Sequence, residues 1–486
     1  MHLTLKYLAS FFFFFLLIIG ISSCKKDEIL TDSSVKLEFS TDTIMFDTVF
    51  SSLGSTTKQL KIYNRNNRPI RISSIRLAGG APSTFRLNVD GIPGKSFFDV
   101  EIPEKDSLFV FVEVTVNPNG QLTPFIFQDS ILFEINGNKQ DVDLVAFGQN
   151  ARFIVADKFV TAGSSAIPYA LLDTQLNATI TWDNVLPYVI WGGYALVDSS
   201  QTLIIQPGTK IYFGNSAGIW VYRGGTIKVL GTVNDPVKMK GVRLESYYQD
   251  IPGQWDRVWI NEGSTNNEIN YAEISNGFIG VHADTPFDTS DAKKLMIRNT
   301  IIKNMSGFGI LSRYYKIEVK NTLIARCGQY AFLAEGGECE FRHCTLANYW
   351  NDGQRNTPSV SLRDYTISGA NAFNYKLRKA NFFNCIIWGN NDEEYEIGYE
   401  FGNDTIESFN HVLLKTELNL SAPYYTNMIL NQNPQFVNFS EDDYQLQSIS
   451  PAVNAGDPAF IDADLINDLL NYTRDASPDL GAYEFH

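Results

Sequence analysis

Charge of either sign is scarce in this chain of 486 residues. Only 19% of it is charged, and 39 lysines and arginines face 54 aspartates and glutamates, for a net charge of −15. That balance argues against nucleic acid or an anionic membrane surface as partner, because both need clustered cations. Cysteine is rare too, with five residues in all. Beyond Cys24 there are Cys327, Cys339, Cys344 and Cys385. None is spaced as CxxC and no histidine pair accompanies them, so no metal site is expected. There is no Ser-His-Asp motif, no phosphate loop, and no helical period before the last segment. What is plentiful is glycine, 35 residues, and aromatic side chains at 13%, a profile that suits an all-β protein rich in turns. The length exceeds what one core sustains, so several domains or an elongated repeat are expected.

The N-terminus reads as an export signal. Lys6 precedes the apolar run "FFFFFLLIIG", which is too short for a membrane span. The run ends in "ISSC", and Ile21-Ser22-Ser23-Cys24 resembles the lipobox of bacterial lipoproteins. The resemblance implies a signal peptide over 1–23, lipidation of Cys24, a tether over 24–35, and membrane attachment through the lipid. More than one acyl chain would make such anchoring stable. "KKDE" after the cysteine resembles the short acidic export signal of some Gram-negative surface lipoproteins. The expected location is therefore the outer membrane, on the cell surface, with the periplasmic face as the alternative.

From residue 36 to about 150, "KQLKIYNR", "RPIRISSIRL", "DSLFVFVEVTV", "DSILFEI" and "QDVDLVAF" each alternate at period two, separated by turns such as "NRNNRP" and "NPNG". An immunoglobulin-like β-sandwich is expected there. It carries no catalytic constellation.

Over 151–430 the pattern changes to short apolar strands with glycine turns. "RNTIIKNMSGFGI" from Arg298 and "KNTLIARCGQYAF" from Lys320 are nearly the same phrase, 22 residues apart. With zero points at Tyr271, Asn299, Asn321, His343 and Asn384, one residue on stand Ala272, Thr300, Thr322, Cys344 and Cys385. Three residues on stand Ile274, Ile302, Ile324, Leu346 and Ile387. Two residues before stand Ile269, Ile297, Val319, Phe341 and Phe382. Small, aliphatic and apolar columns that persist over five layers predict a right-handed parallel β-helix of about 22 residues per turn, with the asparagines stacked in a ladder. Cys344 and Cys385 then face each other in neighbouring rungs, and buried thiols are expected rather than a bridge.

This stretch resembles the right-handed parallel β-helix superfamily of pectate-lyase type, with "PGTKIYFG" and "GGTIKVLGTVNDPVKMKG" similar to its usual opening coil. Residues 431–486 resemble the choice-of-anchor Q domain through "NPQFVN", "DYQLQSISPAVNAGDP" and "SPDLGAYE". No sorting signal follows His486, so the lipid is the expected anchor. The resemblance spans about Thr181 to His486. It implies a polysaccharide or other surface glycan as partner, bound by a structural or glycan-binding β-helix. The alternatives are a polysaccharide lyase or glycoside hydrolase, and a protein-binding adhesin. No cofactor is expected, with Ca²⁺ entering only for a lyase.

Three regions are candidates for binding. One residue before the zero points stand Arg298, Lys320 and Arg342, an outward cationic column suited to an anionic glycan. Glu318 and Glu340 lie beside the last two, while Arg298 has no acid in its own rung. The plainer reading is a solvated charge ladder worth little per pair. The second region is the loop "VHADTPFDTSDAKK", with His282, Asp284, Asp288, Asp291, Lys293 and Lys294, weighed against a merely polar loop. The third is the insertion "DGQRNTPSVSLRDYTISGANAFNYKLR", suited to a lid or wall. "DADLINDLL" lacks the glycine and distal glutamate of a Ca²⁺ loop and is expected as a short helix with an acidic start.

Overall fold

The computed structural model describes residues 28–118, 120–162, 165–261, 263–284, 295–369, 371–402 and 406–486. The chain divides into two compact units between Gln149 and Asn150. Among the described residues no helix is long and apolar enough to cross a membrane.

The first unit is an immunoglobulin-like sandwich of two five-stranded sheets. Alternation builds it: along Ser107–Val114, Leu108, Val110, Val112 and Val114 are buried while Phe109 and Phe111 face out. Val110 and Val112 meet Leu60, Ile72, Phe133 and Leu144 in one core. Pairing is antiparallel except where Thr43–Phe50 runs parallel to Asn138–Gln149. Asn64, buried in a turn, donates to the carbonyls of Arg68, Ile102 and Pro103 and so satisfies backbone acceptors that burial would otherwise strand.

The second unit is the right-handed parallel β-helix. The strands of its coil pair in parallel with the equivalent strand of the next turn, as Tyr194–Val197 does with Gly218–Val221 and that strand with Trp255–Ile260. Three strands make one turn, so three sheets run along the axis. The first contains Ala272–Ser275, Ile301–Met305 and Leu323–Cys327. The second contains Gly277–Asp284, Val360–Arg363 and Tyr395–Gly398. The third contains Asn267–Asn270 and Leu295–Arg298. The long strands Phe308–Lys320 and Phe332–Arg342 pass from the second sheet to the third.

The register read from the repeat holds over the five turns. Asn270, Arg298, Lys320, Arg342 and Phe383 are partners in succession. Tyr271, Asn299, Asn321, His343 and Asn384 all adopt positive φ, between 48° and 52°. Asparagine tolerates that left-handed corner, and its side chain then bonds to the next turn. Asn321 Nδ2 donates to Asn299 Oδ1 at 2.7 Å, and Asn299 Nδ2 to Asn270 Oδ1 at 2.9 Å. Where His343 replaces asparagine, its Nε2 accepts from Asn384 Nδ2 at 2.9 Å, but its Nδ1 makes no hydrogen bond among the described residues, and Asn321 Oδ1 accepts from Arg474 instead. His411 and Asn427, also at positive φ, extend the column by two turns that the repeat pattern did not reveal.

Inside, like stacks on like. Phe341, Phe382 and Phe409 stack at 4.8 Å between ring centroids. Cys344 and Cys385 are free and buried in neighbouring rungs, each donating its thiol to a carbonyl two residues back. Burial, with the adjacent Cys385 thiol, pushes the Cys344 thiol well up.

Residues beyond about 430 fold back on the outer side of the first sheet. Phe436, Tyr444, Leu446, Leu469, Leu480 and Tyr483 cover Leu323, Ile386 and Leu413 there. Gly481 in "SPDLGAYE" is required by this contact. Its φ is 90°, and a Cβ would lie 2.5 Å from Thr345 Oγ1. Arg474, fully buried, ties the segment to the asparagine ladder through Asn321 Oδ1 and pairs with Glu484 at 3.0 Å.

Candidate functional site

The cationic column is partly covered, with Lys320 buried and Arg298 and Arg342 half-buried. Arg298, Lys320 and Arg342 lie in order as expected, but the C-terminal segment covers them. Asp464 Oδ1 lies 2.7 Å from Arg298, Asp462 Oδ2 lies 2.7 Å from Lys320, and Arg342 reaches Asp462 at 3.4 Å. Phe460 stacks on Phe383 at the end of the column, 4.4 Å between centroids. Arg298 does not lack an acidic neighbour either, since Glu268 of the adjacent turn bonds it as well. Glu318 and Glu340 pair with Lys320 and Arg342 as their spacing suggested. "DADLINDLL" is a run of turns, not a helix. Asp462 Oδ1 accepts from the Asp464 amide, a local turn that competes with helix, and both carboxylates are drawn to the column.

This clasp titrates. Burial raises Asp462, but the hydrogen bond from Lys320 and the charges of Lys320 and Arg342 outweigh it and hold the carboxyl below its usual range. A depressed carboxylate stabilises above its unfolded pKa, about 3.9, and that contribution is lost as pH falls through the lower folded value. The C-terminal segment is therefore expected to stay docked at pH 5 and to loosen below pH 4. Asp462→Asn should loosen it already at neutral pH. Limited proteolysis across this pH range checks both.

A second constellation forms on the outer face of the second sheet, where successive turns place one side chain each. The middle of that face carries Trp220, Trp259, His282, Leu311 and Leu333 in register. Trp220 and Trp259 stack at 5.1 Å, and Trp259 and His282 at 6.0 Å with planes 6° apart. Two residues further along each strand stands a polar column: Asn261, Asp284, Arg313, Glu335 and Arg363. Arg313 lies between two acids, 2.7 Å from Glu335 Oε2 and 3.5 Å from Asp284 Oδ2. Arg363 pairs with Glu396 at 3.2 Å. On the other side, Phe278, Phe308 and Tyr330 form an aromatic edge, Phe308 stacking on Tyr330 at 5.8 Å. Arg363 donates to the Tyr330 hydroxyl at 2.7 Å and so joins the two edges.

His282 is the most constrained group on this face. Arg257 donates to Nδ1 at 3.1 Å, which leaves the proton of the neutral ring on Nε2. Burial, and then the charges of Arg257 and Arg313, depress its pKa well below the usual value, so the ring is neutral. Asp256 in turn holds Arg257 at 2.9 Å and bonds the Tyr194 hydroxyl.

Of the loop residues expected to act together, His282 and Asp284 share this face. Asp288, Asp291, Lys293 and Lys294 lie outside the described residues, as does Cys24. The insertion supplies a wall: Tyr365–Ser368 and Asn371–Asn374 form a hairpin, and Thr366 donates to Glu335 at 2.8 Å. Arg313, Glu335 and Arg363 had not been singled out. Their signal was present, since Arg313 and Glu335 stand at the same offset after Asn299 and Asn321. Among the described residues no three His, Cys, Asp or Glu side chains are placed to hold a metal ion.

No family model matches the chain, and no curated protein matches it. Among solved structures, the catalytic unit of a thermostable GH87 alpha-1,3-glucanase from Streptomyces thermodiastaticus is 8% identical over 76% of this chain and 72% of that one, with a TM-score of 0.28. The ASH/PapD-like domain of human CEP192 is 12% identical over 27% of this chain and 94% of its own length, at 0.17. A family 123 glycoside hydrolase from Clostridium perfringens is 10% identical at 0.16, and the match spans 24% of this chain and 25% of that enzyme. Scores this low carry no argument about chemistry, which rests on the side chains above.

Proposed function

We propose that this chain is a lipid-anchored extracytoplasmic protein that binds a surface glycan on the outer face of the second sheet of its β-helix. The observation that carries the reading is the union, on adjacent turns, of an aromatic edge with the polar column Asp284, Arg313, Glu335 and Arg363. Sugar rings need both: flat apolar surfaces for their C–H faces and planar charged groups for their hydroxyls. Binding is favoured over cleavage by the same geometry. A hydrolase needs two carboxyls free to converge on one glycosidic bond, and Asp284 and Glu335 are both engaged by the Arg313 that stands between them. A lyase needs a base that gives up its proton. Burial pulls Arg313 down, but the bond to Glu335 and the charges of Glu335 and Asp284 raise it overall.

The experiment is a glycan array with the intact protein and Arg313→Ala. At least tenfold weaker binding is expected, because two partly buried carboxylates lose their shared partner. Retained affinity would remove this face from the account.

The anchor reading rests on "ISSC" at Ile21–Cys24 and its likeness to a lipobox. The likeness of the last segment to choice-of-anchor Q domains supports the same class of surface protein. Cys24→Ala should abolish lipid labelling and release the protein from the membrane fraction. Labelling that persists in the variant would exclude Cys24 as the acceptor.

A further inference from the structure

Trp259 and His282 each have a buried ring nitrogen that makes no hydrogen bond among the described residues. Among the described residues neither Trp259 Nε1 nor His282 Nε2 makes a hydrogen bond, the nearest acid to His282 Nε2 being Asp284 Oδ2 at 4.0 Å, whereas Trp220 Nε1 one turn earlier is bonded to Asn261. Both are donors, and they belong to stacked rings on successive turns. A buried donor left unpaired is costly, and two together favour an acceptor that the described residues do not supply.

The charges beside them limit what that acceptor belongs to. Arg257 is held by Asp256, Arg313 by Asp284 and Glu335, and Arg363 by Glu396. Among the described residues four acids thus face three guanidinium groups, an excess of one negative charge. A polyanion, the uronates included, would meet carboxylates with no surplus cation among the described residues to offset them. A ligand of hydroxyl and ether oxygens suits every group present: it accepts from the two ring nitrogens, donates to the acids and accepts from the arginines. Spacing sets its direction. Strands follow one another at about 4.8 Å, close to the repeat of one hexose in an extended chain, so polar groups recur along the axis in step with sugar units.

Resting on the glycan-binding reading of this face, we propose that its ligand is an uncharged linear glycan lying parallel to the helix axis, about one sugar per turn. Trp259 Nε1 and His282 Nε2 donate to successive units of it. The polar column covers five turns, from Asn261 to Arg363, so affinity should rise with chain length up to about five units and then level.

Calorimetry on neutral gluco-, xylo- and manno-oligosaccharides of two to eight units, beside oligogalacturonates of the same lengths, tests this. The expected result is a neutral series whose affinity grows with length and changes little with salt. His282→Ala should weaken it about tenfold, and His282→Gln, which keeps a side-chain N–H, should recover part of that loss. Thermal unfolding identifies any variant that fails to fold, and Phe308→Ala then stands in for it. Tighter, salt-sensitive binding of galacturonates that Arg313→Ala abolishes would overturn the neutral ligand and keep the site. Affinity that is flat with length would overturn the axial placement. No binding by any member, or binding that Arg313→Ala and Phe308→Ala both leave intact, would overturn the glycan reading of the face itself.

Discussion

Replacing Glu394 with alanine should lower the stability of the β-helix by about 3–5 kcal/mol, as removal of one member of a buried ion pair does. Glu394 and Arg355 have side chains 0% and 2% exposed, 2.6 Å apart at their closest. The carboxylate also accepts from the Ser359 amide and hydroxyl and from the Asn391 amide, at 2.7 to 2.8 Å. Alanine would leave the guanidinium inside the fold without its counter-charge and the Ser359 and Asn391 amides without an acceptor, while the Ser359 hydroxyl keeps the Trp388 carbonyl. Glu394→Gln keeps the shape and part of the bonding, so its loss should be smaller. Urea denaturation of the two variants beside the parent measures both. An alanine variant within 1 kcal/mol of the parent, roughly the margin of a surface ion pair, would mean that water or a rearranged neighbour satisfies Arg355.

Phe382→Ala should cost about 3–5 kcal/mol by a different route, the cavity left in a core that cannot close around it. Phe382 is fully buried and stacks on Phe341 below and Phe409 above, each at 4.8 Å. Backbone ladders on either side fix the distance between those rings, so neither neighbour can move in. Phe382→Leu fills part of the space and should cost less. The comparison separates packing from any effect on binding, because this column points inward, away from the second sheet's outer face.

The inner columns were legible in the sequence because stacking repeats a residue type at the same step of each turn. Asn299, Asn321 and the apolar positions around them suffice to set the register. Two later turns escaped because Val412 and Met428 break the small column that Thr300, Thr322, Cys344 and Cys385 establish. The outer surfaces were much less legible. Lys320 meets Asp462 across 142 residues of sequence, and no local spacing announces that pair. An aspartate pair in "DADLINDLL" looks like a helix start until the cations it serves are in place. Asp284, Arg313 and Glu335 differ in sign from turn to turn, so a search for like residues passes over them. Alternation of charge at a fixed offset was the pattern to seek.

Where glycan binding falls on the molecule tests the account most directly. Amide hydrogen exchange, followed with and without a saturating neutral oligosaccharide, reads this strand by strand. The account predicts slowed exchange in residues 278–284, 308–315 and 330–336, with residues 318–322 and 460–468 unchanged. Protection confined to that cationic column and its C-terminal cover, or to the sandwich, would contradict it.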